Sequence, residues 1–106
     1  MWTVETLNAI VDAELAAQPD DIRARLVWIS QLIETVGLER MHMPHIDHID
    51  GDIWEIRMRG AGGIARALYI TARNQRVVVV RVFTKKSQKT PRSEINLAKQ
   101  RAKTVR

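Results

Sequence analysis

Apolar positions recur with two different periods along this chain, and the change falls near residue 50. Val4, Leu7, Ile10/Val11 and Leu15 stand three or four residues apart, with Glu5, Asp12 and Glu14 between them. That is a helical period, and it predicts an amphipathic helix over residues 3–17. Gln18-Pro19-Asp20-Asp21 reads as a stop and restart. Proline suits the first turn of a new helix, and the two aspartates after it complement the N-terminal dipole. Ile22, Leu26, Ile29, Leu32 and Ile33 form the stripe of this second helix, which reaches about Val36, where Gly37 is placed to end it. Residues 38–51 contain Pro44, Gly51 and all three histidines and read as a loop.

From Asp52 the period drops to two. Trp54, Ile56 and Met58 alternate with Glu55, Arg57 and Arg59, the pattern of a half-buried strand. Gly60-Ala61-Gly62-Gly63 reads as a hairpin turn needing positive φ. Ile64 to Thr71 forms a second strand, and Arg73-Asn74-Gln75 a short connection. Val77 through Phe83 is a third strand, and its unbroken β-branched run predicts burial on both faces and a central position. After a basic loop, Lys85 to Lys89, Thr90 is placed to cap a last helix with Pro91 at its first position. Ile95, Leu97, Ala98 and Ala102 lie on that helix, and Lys99, Arg101, Lys103 and Arg106 make a basic tail. The expected order is ααβββα. The expected fold is one α+β domain over residues 1–106, an N-terminal helical hairpin packed on an antiparallel meander with a C-terminal helix.

Composition narrows the class. The 106 residues suffice for one compact domain, and 45% hydrophobic with 27% charged residues is globular rather than disordered. Cysteine is absent, which excludes disulfides, thiolate metal sites and cysteine nucleophiles. No run approaches the ~18 apolar residues of a membrane span, and the first residues lack the marks of an export signal, so the cytoplasm is the expected location. The net charge of +5 hides a sharp asymmetry: residues 1–50 carry three basic and nine acidic side chains, residues 51–106 fourteen basic and three acidic. A basic half of that density favours a polyanion such as nucleic acid, although an acidic protein partner would meet it too.

Phosphate-loop, dinucleotide-binding and zinc-protease motifs are missing. His42, His45 and His48, with Asp47 and Asp50 nearby, invite a metal reading, but Pro44 interrupts the helix that would converge them, and solvated histidines are the plainer reading. The strand arginines say more. Arg57, Arg66 and Arg81 lie inside strand patterns, and Arg66 shares its parity with Ile64, Leu68 and Ile70. A half-buried arginine demands an anion. Glu55, Asp52 and the acids of the hairpin can absorb one or two of these, but not easily three together with Lys85, Lys86 and Lys89. Such a cluster suits a phosphodiester: arginine offers forked donors, fixed cations stabilise a phosphorane, and crowded lysines depress one another's pKa toward the range of proton transfer. Phe83 beside them offers a stacking surface. RNA binding and RNA cleavage by the 2′-hydroxyl fit these residues equally.

Residues 50–102 also carry a family resemblance. Asp50-Gly51-Asp52-Ile53-Trp54-Glu55-Ile56-Arg57 resembles the "DG-LWELR" strand of phage-derived HigB-like toxins, a branch of the RelE/ParE superfamily. Ile64-Ala65-Arg66-Ala67-Leu68-Tyr69 resembles the following "YRVLY" strand. Val77 through Phe83-Thr84-Lys85-Lys86-Ser87-Gln88-Lys89-Thr90-Pro91 is similar to the "F-KKTQKTP" segment, and Glu94-Ile95 with Ala98 fits the closing "EI--A" helix. The resemblance implies a RelE-like fold and the toxin of a type II toxin–antitoxin module. It implies an endoribonuclease that cuts mRNA in the ribosomal A site without a metal or other cofactor, leaving a 2′,3′-cyclic phosphate. Arg57 and Arg66 would then be phosphate or transition-state ligands, and Lys85 and Lys86 proton-transfer and phosphate-contact groups. Phe83, Lys89, Arg59, Arg81 and Tyr69 would contact RNA. The implied partners are the ribosome with its mRNA and a cognate antitoxin, often of helix-turn-helix type. A superfamily relative that poisons a topoisomerase is the alternative, since one scaffold hosts several functions. The chain departs from the family pattern at Ala65, where an aromatic is usual, at Arg81, where a small or apolar residue is usual, and in the histidine loop.

Overall fold

The computed structural model describes residues 1–42, 44–86 and 89–105. Its elements are β1 (Thr3–Thr6), α1 (Ala9–Ala16), α2 (Asp20–Val36), a short 3-10 turn (Leu38–Arg40), β2 (Ile46–Asp50), β3 (Ile53–Gly60), β4 (Gly63–Ala72), β5 (Arg76–Thr84) and α3 (Arg92–Ala102). The strands form one sheet in the order β1-β5-β4-β3-β2. β2 through β5 make the antiparallel meander, and β1 adds to β5 in parallel. The α+β class and the meander agree with the sequence reading, and β5 lies inside the sheet as its apolar run implied.

Helices cover both faces. On one side, Val11 of α1 and Ile22, Leu26, Ile29 and Ile33 of α2 pack against Ile56, Met58, Ala65, Ala67, Tyr69, Val77, Val79 and Val82. On the other, Ala98 of α3 packs with Ile53, Leu68, Ile70, Val78, Val80 and Phe83. An irregularity in the β4–β5 ladder, opposite Leu68/Tyr69, shifts the alternation of β5 by one residue. It directs Val79 and Val82 to one face and Val80 and Phe83 to the other.

Two expected stretches differ. Residues 3–17 are not one helix. Thr3–Thr6 is a strand paired with Arg76–Val79, and the helix begins at Ala9, where the Asn8 side chain accepts from the Val11 N–H at 3.1 Å. The long-range pairing outcompetes a helical period that rested on two apolar residues in the first seven. Residues 38–51 are not all loop either: Ile46–Asp50 is an edge strand, with Ile46↔Ile56, Asp47↔Glu55 and His48↔Trp54 in register. Its polar residues, ordinary on an edge, masked it. Thr90 does not cap α3. Its hydroxyl bonds the Glu55–Arg66 pair instead, and Pro91 stands at the cap.

The β3–β4 hairpin is fixed from α2. Asp21 accepts from the Gly62 N–H at 3.0 Å, and a Cβ at Gly60 would overlap its carboxylate. Within the turn, Gly63 has positive φ (129°), so Gly60 answers to close approach rather than to the positive φ expected there.

Candidate nucleic-acid interface

The site grows from the register of three strands. Alternation sets Glu55, Arg57 and Arg59 of β3 on the α3 face, and the ladder aligns Arg57 with Arg66, Arg59 with Ile64, and Arg66 with Phe83. One further rung, the Lys85 N–H to the Ile64 carbonyl at 2.9 Å, carries Lys85 to the same corner. Arg57, Arg59, Arg66 and Lys85 thus line one pocket of about 410 Å³, together with Arg25, Pro44 and His45.

A buried carboxylate organises the floor. Glu55 is fully buried and Arg66 is 3% exposed. Arg66 Nη1 donates to both Glu55 oxygens, at 2.8 and 2.7 Å, and to the Thr90 hydroxyl at 2.8 Å. Arg57 Nε donates to Glu55 Oε1 at 2.9 Å, and its Nη2 to Asp47 at 2.8 Å. The acids therefore absorb more cations than the sequence suggested. Arg81 is paired as well, with Glu14 at 2.9 Å and Glu94 at 2.7 Å. Asp47 and Glu14 come from the acidic half, which the fold brings to the basic strands. Among the described residues, no ion pair holds Arg59 or Lys85, so charge remains at the pocket mouth.

Partial desolvation, then the charges of Arg66 and Arg57, hold the Lys85 ammonium below its ordinary pKa, with Glu55 opposing. The depression expected from crowded lysines thus has another origin, burial and arginines. A lysine so placed is readied for proton transfer, and the neighbouring guanidiniums for stabilising an oxyanion.

The remaining candidates scatter. Lys86 lines a different hollow, with Arg81, Glu14 and Glu94. Lys89 lies with Asp47, His48, Thr90 and Arg92 on a shallow surface that reaches the other side of Arg57 and Arg66. Phe83 is 7% exposed in the α3-face core, with the Arg81 guanidinium 5.9 Å from its ring, and offers little face for a base. Tyr69, expected to contact RNA, is buried on the opposite face, in the α2-side core, where desolvation pushes its phenol pKa up. Arg81 is engaged by two carboxylates, which accounts for a cation where the resembled family has a small or apolar residue. Ser87, Gln88 and Arg106 lie outside the described residues.

Sequence reasoning missed Arg25 and Trp28 beside the pocket. Trp28 stands off the apolar stripe of α2 and is 43% exposed. Its ring meets His45 edge to face at 5.3 Å, and the Arg25 guanidinium lies 5.1 Å from its centroid. The signal was a tryptophan on the polar side of an amphipathic helix. His48 turns elsewhere, its Nε2 2.7 Å from the Gly51 carbonyl and its ring 4.9 Å from Trp54. Among the described residues, no three His, Cys, Asp or Glu side chains converge as a metal set.

A helix–sheet–helix α+β domain with a cationic pocket at one sheet corner is compatible with a RelE-like fold. The family model for Phage derived protein Gp49-like (DUF891) matches residues 13–103, and the chain belongs to that phage-derived family, whose members are often toxins of toxin–antitoxin systems. No curated protein matches the chain. Among the described residues, no helix is long and apolar enough to cross a membrane.

Proposed function

We propose that this chain is a HigB-like toxin of the RelE superfamily that cuts mRNA on the ribosome and is neutralised in the cytoplasm by a cognate antitoxin. The observation that supports it best is the convergence of Arg57, Arg59, Arg66 and a desolvated Lys85 on one pocket. The scissile phosphate sits against Arg57 and Arg59, with Arg66 beneath, held by Glu55. Lys85, in its neutral form, takes the proton from the 2′-hydroxyl as that oxygen attacks phosphorus. The P–O5′ bond breaks, the 5′-oxygen leaves with a proton from solvent or a neighbouring cation, and a 2′,3′-cyclic phosphate remains. The fixed guanidiniums stabilise charge on the phosphorane, and no metal or cofactor takes part in this scheme. Lys86 and Lys89 contact RNA on flanking surfaces.

The test adds purified protein to translating ribosomes and maps mRNA ends. Cleavage with 2′,3′-cyclic termini, abolished by Lys85→Ala and less affected by Lys86→Ala, is the expected result. The ion pairing of all three strand arginines favours one alternative, a scaffold that binds a non-ribosomal target such as a topoisomerase without cutting RNA. Intact mRNA in this assay, with DNA damage in expressing cells, would select it.

A further inference from the structure

The cationic pocket also has lining of a different chemistry, and Phe83, the side chain expected to stack on RNA, is buried in the core. Arg25, Pro44 and His45 also line the pocket, and Trp28, which touches both His45 and Arg25, borders it with more than two fifths of its surface open. Trp28 and His45 form a right-angled aromatic corner, rings 5.3 Å apart and 77° inclined. Arg25 lies against the indole within cation–π range, and none of the three is in an ion pair among the described residues. Val27, exposed beside Trp28, extends the apolar surface. A large aromatic on the solvent side of a helix, next to unneutralised cations, fits a ligand with a flat π-face and an adjacent anion.

We propose that Trp28, His45 and Arg25 form a platform for one nucleobase of single-stranded RNA, the nucleotide next to the phosphate held by Arg57, Arg59 and Lys85. The inference rests on the RNA-cleaving reading and adds to it the group that holds the base. A phosphate at the pocket floor leaves its nucleoside reaching toward one wall or the other. The β4–β5 side presents Ile64 and Lys85, while the α2 side presents the aromatic corner. Stacking tolerates any base, so the platform positions RNA without reading its sequence. It lies on α2 and the segment before β2, two elements that carry none of the residues in the catalytic scheme.

The test measures binding at low salt of two labelled probes, a hexa-adenylate RNA and an abasic ribose-phosphate oligomer of equal length and charge. Wild-type protein should prefer the RNA at least about fivefold, the lower end for one stacked base. Trp28→Ala should reduce that preference to near one and leave abasic binding unchanged, while Trp28→Phe, which keeps a ring, should retain most of it. Because Trp28 is exposed, both variants should show the wild-type circular dichroism and melting curve. A base preference unaltered in Trp28→Ala overturns the platform. If Lys85→Ala still weakens both probes in that case, the phosphate pocket stands without it. If wild type binds neither probe, the platform is overturned, and end mapping on translating ribosomes decides the cleavage reading separately.

Discussion

Replacing Glu55 by glutamine keeps the shape of the side chain and removes its charge. In the fold, that charge is wholly buried and shared by Arg66, itself almost fully buried, and by the half-exposed Arg57. An exposed pair of this kind is worth at most about 1 kcal/mol, but loss of one partner from a buried pair costs about 3–5 kcal/mol, because the other charge stays desolvated and unpaired. The glutamine oxygen still accepts one bond and Arg57 retains Asp47, which points to the lower end, about 3 kcal/mol. A domain of this size has about 5–15 kcal/mol in total, so the variant remains folded at 25 °C with a melting temperature lower by roughly 10–20 °C. Urea unfolding followed by circular dichroism measures the difference. The joint replacement Glu55→Met/Arg66→Met should fall within about 1 kcal/mol of wild type, since well-packed apolar side chains replace a buried pair at little cost. A Glu55→Gln protein as stable as wild type would show that Arg66 finds its counter-charge elsewhere, and the organising role given to Glu55 would be wrong.

Other expectations follow from single contacts. Gly60→Ala forces Asp21 off the hairpin and breaks its bond to Gly62, so it should lower the midpoint of urea unfolding. Burial raises the Glu14 pKa, but bonds from Arg101, the Val82 N–H and Arg81 outweigh it and hold the carboxyl below its ordinary 4.5. Its contribution is present above that pH and disappears as pH falls through the depressed folded value, so Glu14→Gln should flatten the acid limb of a stability–pH curve. The Lys85 ε-methylene should titrate by NMR below the ordinary 10.5, and Arg57→Met should move it back up. Asn74 and Gln75 both have positive φ (64° and 56°) in the β4–β5 turn, so Gln75→Gly should raise stability by about 0.5 kcal/mol in thermal unfolding.

What the residues revealed before the fold was seen depended on how local the cause was. α2 was legible from Pro19 to Gly37 because its stripe, first-turn acids and terminal glycine agree. β3, β4 and β5 were legible because alternation and β-branched runs persist over eight or more residues. β1 was not, since four residues become a strand only by pairing with Arg76–Val79, far along the chain. Nor was β2, whose edge position permits Asp47, His48 and Asp50. In the site, the alternation of β3 and β4 identified Arg57 and Arg66, and the end of β5 identified Lys85. Separating Lys85 from Lys86 required the tertiary fold, which sets Lys85 beside Arg57 and Arg66 and Lys86 in a hollow with Arg81 and Glu94. Phe83 and Tyr69 misled for a related reason: both faces are covered by helices, and an aromatic within a strand is then core. The neutralising acids were the hardest to place. Asp47 and Glu14 reach Arg57 and Arg81 only through tertiary structure.

Arg66→Ala would remove a phosphate ligand and a buried ion-pair partner together, so its inactivity would not single out chemistry. Lys85, half-buried at the pocket mouth and in no ion pair among the described residues, separates the two. The decisive measurement is mRNA 5′-end mapping within minutes of inducing the chain in a bacterium, beside a Lys85→Ala protein of equal abundance and unchanged melting temperature. New ends inside translated regions with the wild type, absent with Lys85→Ala, are the result expected of a ribosome-dependent endonuclease built on this pocket. Growth arrest with intact mRNA, or cleavage undiminished by Lys85→Ala, would contradict it.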